Sequence, residues 1–384
     1  MTKHSLISGS QVWFLVTLVG AASIYAGKKD YIASVAPHDY SVTGTNVDLT
    51  STQKIMDDFL AQSGNQVNEK AEVTYLYFGI KEQEKNKLTI FPENERKVLP
   101  KSIFLVFSQA TYKQLTGKDL NLASNQVGLY SKSKTLKDQK SLSFNGQTYQ
   151  IQDDLNDFIK GKVPNIFTII VSDYNYLVVP DMDDFKESIK GTATTQATYV
   201  GVNVKNPTHD AKKNSDLLDQ MTDKETQQLA GQNTGVSQSY LTANSQYDTE
   251  GMLNGFVGGT LFIGIFLSII FMLGTVLVIY YKQISEGYED RERFVILQKI
   301  GLDDLQVKKT IRKQVLTVFF LPLIFAFIHL AFAYHMLSLI VRIIGVFNQS
   351  LMLVVTIIVC GVFFLAYVLV FALTSRSYRR IVSM

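Results

Sequence analysis

The stretch that decides the fold is GMLNGFVGGTLFIGIFLSIIFMLGTVLVIYY, Gly251–Tyr281, in which thirty-one residues pass without a charged side chain. A hydrocarbon core about 30 Å thick requires roughly 20 apolar helical residues, so this stretch is long enough to cross a membrane. The segment after it, Lys282–Lys313, contains eight Lys or Arg residues. Because basic residues collect on the cytoplasmic side of a span, the sequence predicts a membrane exit into the cytoplasm at this point.

Three further apolar runs are long enough to cross a bilayer. They are Leu6–Gly27, Val315–Val341 and Leu351–Thr374. Basic residues lie near both termini, at Lys3 and at Arg376, Arg379 and Arg380. The positive-inside rule therefore predicts that both termini are cytoplasmic and that the long polar stretch between the first two spans is extracellular. That stretch has 24 Lys or Arg and 28 Asp or Glu residues, a net charge of −4, whereas the rest of the chain has +7.

We therefore expect an α-helical membrane protein with four transmembrane helices and a large α/β (α+β) extracellular domain inserted between helices 1 and 2. The expected segments are a cytoplasmic N-terminus with transmembrane helix 1 (1–27), the extracellular domain (28–250), transmembrane helix 2 (251–281), a cytoplasmic coupling segment (282–314), transmembrane helix 3 (315–341), a short extracellular loop (342–350), transmembrane helix 4 (351–375) and a cytoplasmic tail (376–384).

The first apolar run has a second interpretation. Lys3 followed by an apolar stretch that ends in Ser23-Ile-Tyr-Ala26 also resembles a signal peptide with a small-residue cleavage site. The run of about 22 residues is closer to a full span than to a signal core, which favours a retained helix. Either interpretation leaves the orientation of the other three spans unchanged.

Within the polar stretch, several short patterns predict local structure. Asp48–Gln62 has apolar residues at helical spacing, with Thr50 and Ser51 as expected caps. Runs with strand character follow at 73–78, 88–91, 103–107, 127–130, 166–171 and 176–179. Asn145-Gly146 between two further short strands predicts a two-residue hairpin, and Gly231–Thr249 has the composition of a tether. The single cysteine, Cys360, lies in span four, so no intrachain disulfide is expected.

The chain has none of the common catalytic or nucleotide-binding motifs. G-x-x-x-x-G-K-[ST], H-E-x-x-H, an EF-hand loop and G-x-S-x-G are all absent from the sequence. We therefore expect no enzymatic activity, no cofactor and no bound metal of its own, and no nucleic-acid partner. The acidic cluster Asp181, Asp183 and Asp184 could bind a cation, but its position at the start of a predicted helix favours capping.

Small residues in span two predict close helix packing. They are Gly255, Gly259, Gly264 and Ser268, spaced one turn apart in pairs. Packing within the bundle is favoured over a dimer contact, although both fit the pattern. In span three, Pro322 is expected to kink the helix because it removes a backbone donor.

The segment after span two predicts two helices that meet at a bend. Ile300-Gly301-Leu302-Asp303 has a glycine suited to a helix end and an aspartate suited to the next helix cap. The first helix would present Phe294, Leu297 and Ile300 on one stripe and expose Arg291, Glu292 and Arg293. A partner protein could bind this segment, and a basic amphipathic helix lying on anionic lipid is the alternative.

This arrangement, with Asp290–Gly301 between the second and third long apolar stretches, resembles the FtsX-like ABC transporter permease family. Phe319–His329 and Ala36–Tyr40 further resemble the bacitracin-export type of that family, which is associated with antimicrobial peptide resistance. The match covers the whole topology, although such permeases normally have ten spans and this chain corresponds to roughly the last four.

The resemblance implies the permease subunit of a mechanotransmission transporter in the bacterial plasma membrane. A separate ABC ATPase would bind ATP and dock on the coupling residues Glu286, Arg291, Glu292, Arg293, Phe294, Leu297, Ile300 and Gly301. A second permease or another copy of the chain, a sensor histidine kinase, and a peptide antibiotic or its lipid-linked cell-wall precursor are the further implied partners. The alternatives are a four-helix permease for lipoprotein release or efflux, and a membrane-anchored binding or sensor protein without an ATPase.

Overall fold

The computed structural model describes residues 2–95, 100–164, 174–230, 238–299, 304–343 and 348–382. The chain divides into two compact units. One, here called the sheet domain, comprises residues 29–252, and the other, the membrane unit, comprises residues 1–28 and 253–384. Each unit is described by itself.

In the described part of the chain, four long helices contribute to the membrane unit. They are α1 (Thr2–Val35), α7 (Gln246–Lys299), α8 (Asp304–Ile343) and α9 (Gln349–Val382). Helices α1 and α7 each extend by one end into the sheet domain. Among the described residues, three stretches are long and apolar enough to cross a bilayer, namely Gln246–Val278, Phe320–Val341 and Gln349–Ala372. Helices suit this task because a bilayer core offers no water to bond free backbone groups. The span expected at Leu6–Gly27 lies in α1, where the side chains of residues 1–10 and 14 are outside the described set, and it stays a prediction.

Among the described residues of the sheet domain, ten strands form one sheet, with the helices between them. The strands are β1 (Tyr40–Thr45), β2 (Val67–Glu84), β3 (Lys87–Ile90), β4 (Ser102–Ser108), β5 (Gln126–Ser131), β6 (Ser141–Phe144), β7 (Gln147–Asp154), β8 (Tyr174–Val179), β9 (Thr194–Val204) and β10 (Tyr240–Ser245). The helices are α2 (Leu49–Ser63), α3 (Gln109–Thr116), α4 (Lys134–Lys137), α5 (Met182–Ser188) and α6 (Ala211–Ala230).

The strand order is β10-β1-β9-β2-β3-β6-β7-β5-β8-β4, and β4 also pairs with β2. The strands from β2 to β4 therefore form a closed circuit. One apolar cluster takes residues from all seven of these strands, and at its centre Phe78, Phe104 and Phe144 pack with ring centroids 5.4–5.7 Å apart. The circuit buries its own core without a disulfide.

The remaining strands of the sheet, β1, β9 and β10, pack with two helices around a second apolar cluster. Tyr40, Met56, Phe59, Val200 and Leu218 belong to one buried cluster, which joins β1, β9 and β10 to α2 and α6. The rings of Tyr40 and Phe59 lie 5.1 Å apart. This part of the sheet contains both points at which the sheet domain continues into long helices, because β1 follows α1 and β10 precedes α7.

Most of the short local patterns form as predicted. Asn145 and Gly146 have φ values of 50° and 94°, and they join β6 to β7, as the hairpin signal required. Asp181 Oδ1 accepts hydrogen bonds from the backbone N–H groups of Asp183 and Asp184, which confirms that this cluster caps a helix. The strand predicted at 166–171 lies outside the described residues.

Two local predictions are wrong. The cap of α2 is Asp48 and not Thr50 or Ser51, since Asp48 Oδ1 accepts from Ser51 N at 2.8 Å. The predicted tether at Gly231–Thr249 contains strand β10 and the first turn of α7 within its described part. The polar composition of this segment indicated a tether, but β10 is a strand because its backbone pairs with β1.

Replacing Phe104 by alanine should destabilise the sheet domain by about 3–5 kcal/mol, because it leaves a cavity beneath two other phenylalanine rings. Phe104 is fully buried. Thermal unfolding of the full chain in detergent should show the domain transition lowered by roughly 10 °C. The control Val67→Ala, at a site that is 39% exposed, should leave that transition nearly unchanged. Equal effects of the two substitutions would contradict the packing described.

Candidate functional site: a polar junction at the start of α7

Helix α7 begins directly at the end of strand β10, and its first turn is capped by Ser245 and Asp248. Ser245 Oγ accepts a hydrogen bond from Asp248 N at 3.0 Å and lies 2.7 Å from Asp248 Oδ2. This S-x-x-D arrangement is a variant of the capping box, with the carboxylate placed at the positive end of the helix dipole. Ser245 is almost fully buried, so the start of α7 is fixed to the sheet.

The same carboxylate ties α7 to α6. Ser215 Oγ of α6 lies 2.8 Å from Ser245 Oγ and donates a hydrogen bond to Asp248 Oδ2. Ser215 is buried as well. The three oxygen atoms of this cluster are Ser215 Oγ, Ser245 Oγ and Asp248 Oδ2, and the two serine hydroxyl groups are its donors. Asp248 can accept from both serines because an ionised carboxylate is an acceptor only. Loss of this acceptor would leave two buried hydroxyl groups competing for partners.

The end of α1 is attached to the same place. Asn244 Nδ2 donates to Val35 O at 3.2 Å, and Gln246 Nε2 donates to Ala36 O at 3.1 Å. Asn244 Oδ1 in turn accepts from Thr249 Oγ1 at 3.0 Å. These amides satisfy carbonyl groups at the C-terminal end of α1, which have no partner within the helix itself. We call Val35, Ala36, Ser215 and Asn244–Thr249 the junction.

A buried histidine lies at the segment between α1 and β1. His38 Nδ1 is 2.7 Å from the hydroxyl of Tyr199, and both side chains are buried. Burial lowers the pKa of His38, against the opposing effects of Glu69 and Asp39. Asp39 Oδ2 also accepts from Val204 N at 2.8 Å. The segment that leaves α1 is therefore held by a buried histidine and by the carboxylate of Asp39 before β1 starts.

An acidic face of α6 lies beside the junction. Burial, and then the charges of Asp248, Asp223 and Asp216, raise the pKa of Asp219. A carboxyl group whose pKa is higher in the folded state binds its proton more tightly there than in the unfolded chain. Its contribution to stability is therefore full at low pH and is lost as the pH rises through the folded-state pKa.

In the membrane unit, α1 and α7 approach each other closely at one predicted packing position. A Cβ atom on Gly264 would lie 2.8 Å from Ala21 Cβ, so only glycine fits there without a shift. Ser268, one turn later, is buried. Gly255 and Gly259 have open space around them within the described residues, and packing contacts for these two glycines stay a prediction.

The other predicted site residues are placed only in part. Glu286, Arg291, Glu292, Arg293, Phe294 and Leu297 all lie on α7, where their side chains are not described. Ile300 and Gly301 lie outside the described residues, between the end of α7 at Lys299 and the start of α8 at Asp304. Pro322 is buried within α8, which is assigned as helix on both sides of it, and the kink stays a prediction. In the described part of the chain, no group of three or more His, Cys, Asp or Glu residues could hold a metal ion.

The sequence prediction missed the junction residues Ser215, Asn244 and Asp248. Ser245-Gln-Tyr-Asp248 before the apolar run is an S-x-x-D signal that could have marked the start of α7. The contacts of Ser215 and Asn244 have no comparable signal, because they join segments that are distant in the chain.

Three ABC transporter permeases of Bacillus subtilis (strain 168) are similar to parts of this chain. ABC transporter permease protein YxdM is 34% identical over 79 residues, which cover 21% of this chain and 13% of that protein. Uncharacterized ABC transporter permease YvcS is 30% identical over 122 residues, covering 32% and 18%. Bacitracin export permease protein BceB is 28% identical over 138 residues, covering 36% and 19%. The matched part thus spans less than a fifth of each relative.

No family model matches the chain. Among solved structures, a putative lipoprotein from Bacillus anthracis is 10% identical and covers 46% of this chain and 92% of that one. Its TM-score of 0.26 is too low to support an argument about fold or function.

The three apolar helices and the permease relatives together define a multi-pass plasma-membrane protein that is similar to ABC transporter permeases. Within that class, the resemblance to a bacitracin export permease predicted from the sequence is confirmed.

Removing the Asp248 carboxylate, which accepts hydrogen bonds from Ser215 and Ser245, should weaken the junction. Asp248→Ala should lower the free energy of unfolding of the sheet domain by about 1–3 kcal/mol, because it leaves buried hydroxyl groups without their acceptor and removes a helix-capping contact. Hydrogen exchange at residues 245–249 of the full chain should rise in the variant. Asp216→Ala removes an exposed carboxylate of α6 and serves as the control. Unchanged exchange in the Asp248 variant would show that the junction does not fix α7.

Asp219→Asn should raise the thermal unfolding temperature of the sheet domain at pH 7 by a few degrees at most, because the side chain is largely exposed. The substitution removes a charge that the fold disfavours. The gain should shrink as the pH falls toward the ordinary value of 3.8, where the wild-type carboxyl group becomes protonated. Melting curves between pH 4 and pH 8 measure this, with Asp58→Asn on α2 as the control. A gain in unfolding temperature that grows at low pH would contradict the upward direction of the pKa shift of Asp219.

Proposed function

We propose that this chain is the permease subunit of an ABC transporter of the FtsX-like mechanotransmission type, in which a separate ATPase drives motion of the sheet domain. The supporting observation is the continuity of α7. Its 54 residues run from the junction at Ser245 to Lys299, within the predicted coupling segment. At about 1.5 Å per residue, such a helix is about 80 Å long.

A continuous helix is suited to carry force because its backbone hydrogen bonds run along its axis. One end of α7 is fixed to the sheet and to α6 through Ser245, Asp248 and Ser215. The other end contains Glu286, Arg291, Glu292, Arg293, Phe294 and Leu297, the residues proposed to contact the ATPase. A displacement there would move the junction, and the sheet domain with it.

The substrate proposal follows from the relative named as a bacitracin export permease. We propose that the sheet domain is extracellular and binds a peptide antibiotic or its lipid-linked cell-wall precursor, for resistance or sensing. A sensor histidine kinase and a second permease or another copy of this chain are the further proposed partners. ATP would be bound by the ATPase and not by this chain.

Association with an ATPase is the first test. The chain should co-purify in nanodiscs with a separate ABC ATPase subunit, and Arg291→Glu with Arg293→Glu should weaken the complex by roughly tenfold if these charges are contacts. Arg379→Glu with Arg380→Glu, an equal charge change on α9 in the predicted cytoplasmic tail, is the matched control. No association of the wild-type chain would favour a membrane-anchored binding or sensor protein instead.

Interruption of α7 is the second test. Ile284→Pro should break the helix between the membrane span and Glu286, the first of the proposed contact residues, at a cost of about 3 kcal/mol to the helix. In the wild-type complex, ATP should change hydrogen exchange at residues 245–249. In the proline variant, the ATPase should still bind, but ATP should leave hydrogen exchange at these residues unchanged. Ile284→Leu is the control. An undiminished ATP response in the proline variant would refute transmission along α7.

A further inference from the structure

A groove of about 730 Å³ lies on the sheet domain between the start of α6 and the first turn of α7. Its lining includes Asp210, Lys212, Lys213, Asp216, Leu217 and Tyr247. The volume is within the range of small-molecule sites, about 300–1,000 Å³. The groove is open and has charged groups of both signs, which distinguishes it from the apolar cores of the domain.

One residue that lines the groove, Tyr247, lies close to the uncharged stretch on the same helix. Tyr247 precedes Gly251, the first residue of the uncharged stretch, by four residues on the same helix, or about 6 Å along its axis. The headgroup layer adds roughly 5–8 Å on each side of the hydrocarbon core. Tyrosine is enriched in this layer, and Tyr247 is 46% exposed. Tyr247, one of the residues that line the groove, therefore lies along α7 at the distance from the uncharged stretch that the headgroup layer occupies.

The charges in the groove are not neutralised by one another. Lys212 and Lys213 are exposed and form no ion pair with any described residue, although Asp210 and Asp216 line the same groove. Asp210 Oδ2 has His209 Nδ1 at 3.6 Å, and that contact is an ion pair only if the histidine is protonated. Two ammonium groups and two carboxylates thus face one cavity with their charges available.

A ligand with both a phosphate and an amine matches this distribution. Lysine ammonium groups form charge-assisted hydrogen bonds with phosphate oxygens, and carboxylates do so with a primary ammonium group. A purely anionic headgroup would be repelled by Asp210 and Asp216, and a quaternary ammonium group has no N–H to donate to them. The mixed lining therefore favours a zwitterionic headgroup that carries a primary amine.

We propose that this groove binds the headgroup of a phosphatidylethanolamine-type phospholipid. Lys212 and Lys213 hold the phosphate, Asp210 and Asp216 accept from the ammonium group, and Tyr247 packs beside the glycerol. The lipid contacts α6 and α7 next to the Ser215–Asp248 contact that joins these helices, so its binding stabilises the junction. This site requires neither an ATPase nor a peptide substrate.

Native mass spectrometry of the full chain in detergent tests the assignment. Titration with short-chain phosphatidylethanolamine should give more bound lipid than phosphatidylglycerol or phosphatidylcholine. Lys212→Gln with Lys213→Gln should reduce bound phosphatidylethanolamine about tenfold, and Asp210→Asn with Asp216→Asn should abolish the preference over phosphatidylcholine. Lys85→Gln with Lys87→Gln, an equal charge change at the exposed β2–β3 turn, should have no effect.

Three results would overturn the proposal. Equal binding by the wild-type chain and the Lys212/Lys213 variant would remove the groove from lipid binding. Stronger binding of phosphatidylglycerol would indicate a site for anionic lipid. Displacement of the lipid by free phosphoethanolamine at equal concentration would indicate a site for a water-soluble ligand. All the substituted side chains are exposed, and melting curves of each variant verify that the fold is intact.

Discussion

The antiparallel pairing of β1 with β10 is the contact on which the rest of the structure depends. It places Tyr40 opposite Ser245, although about two hundred residues separate them in the chain. Since β1 follows α1 and β10 leads into α7, this one pairing brings the ends of two long helices together. Asn244 and Gln246 then bond the last carbonyl groups of α1, and Asp248 secures the first turn of α7. The part of the chain between β1 and β10 therefore begins and ends at neighbouring positions in the sheet.

The fold of this part of the chain is stabilised by the packing of its apolar side chains. Its central strands β4 and β8 are buried along almost their whole length, and the circuit from β2 to β4 encloses a core rich in phenylalanine. The only cysteine of the sequence, Cys360, lies on α9 and cannot crosslink the sheet domain. Apolar burial and aromatic contacts therefore supply the stability that disulfides give to many small extracellular domains.

The sequence predicted those features whose causes are local. The span in α7 follows from thirty-one uncharged residues, the hairpin from Asn145-Gly146, and the cap of α5 from Asp181. Strands β1, β9 and β10 were missed because pairing across the chain, and not their own composition, makes them strands. β10 is the clearest case, since Tyr240–Ser245 contains four polar or small residues and was assigned to a tether. The junction was missed for the same reason, because Ser215 and Asn244 acquire a role only when the fold brings them to Asp248 and Val35.

Helix α6 also affects how the sheet can meet other proteins. At β10, the end of the strand order, Thr226 Oγ1 accepts from Leu241 N at 3.0 Å and donates to Leu241 O at 3.1 Å. A single threonine thus occupies the backbone groups that an added strand would need at Leu241, the second residue of the edge strand. Another chain cannot extend this sheet at Leu241 while α6 is in place. Edge-to-edge pairing with another copy of the domain is blocked at this residue by the same contact.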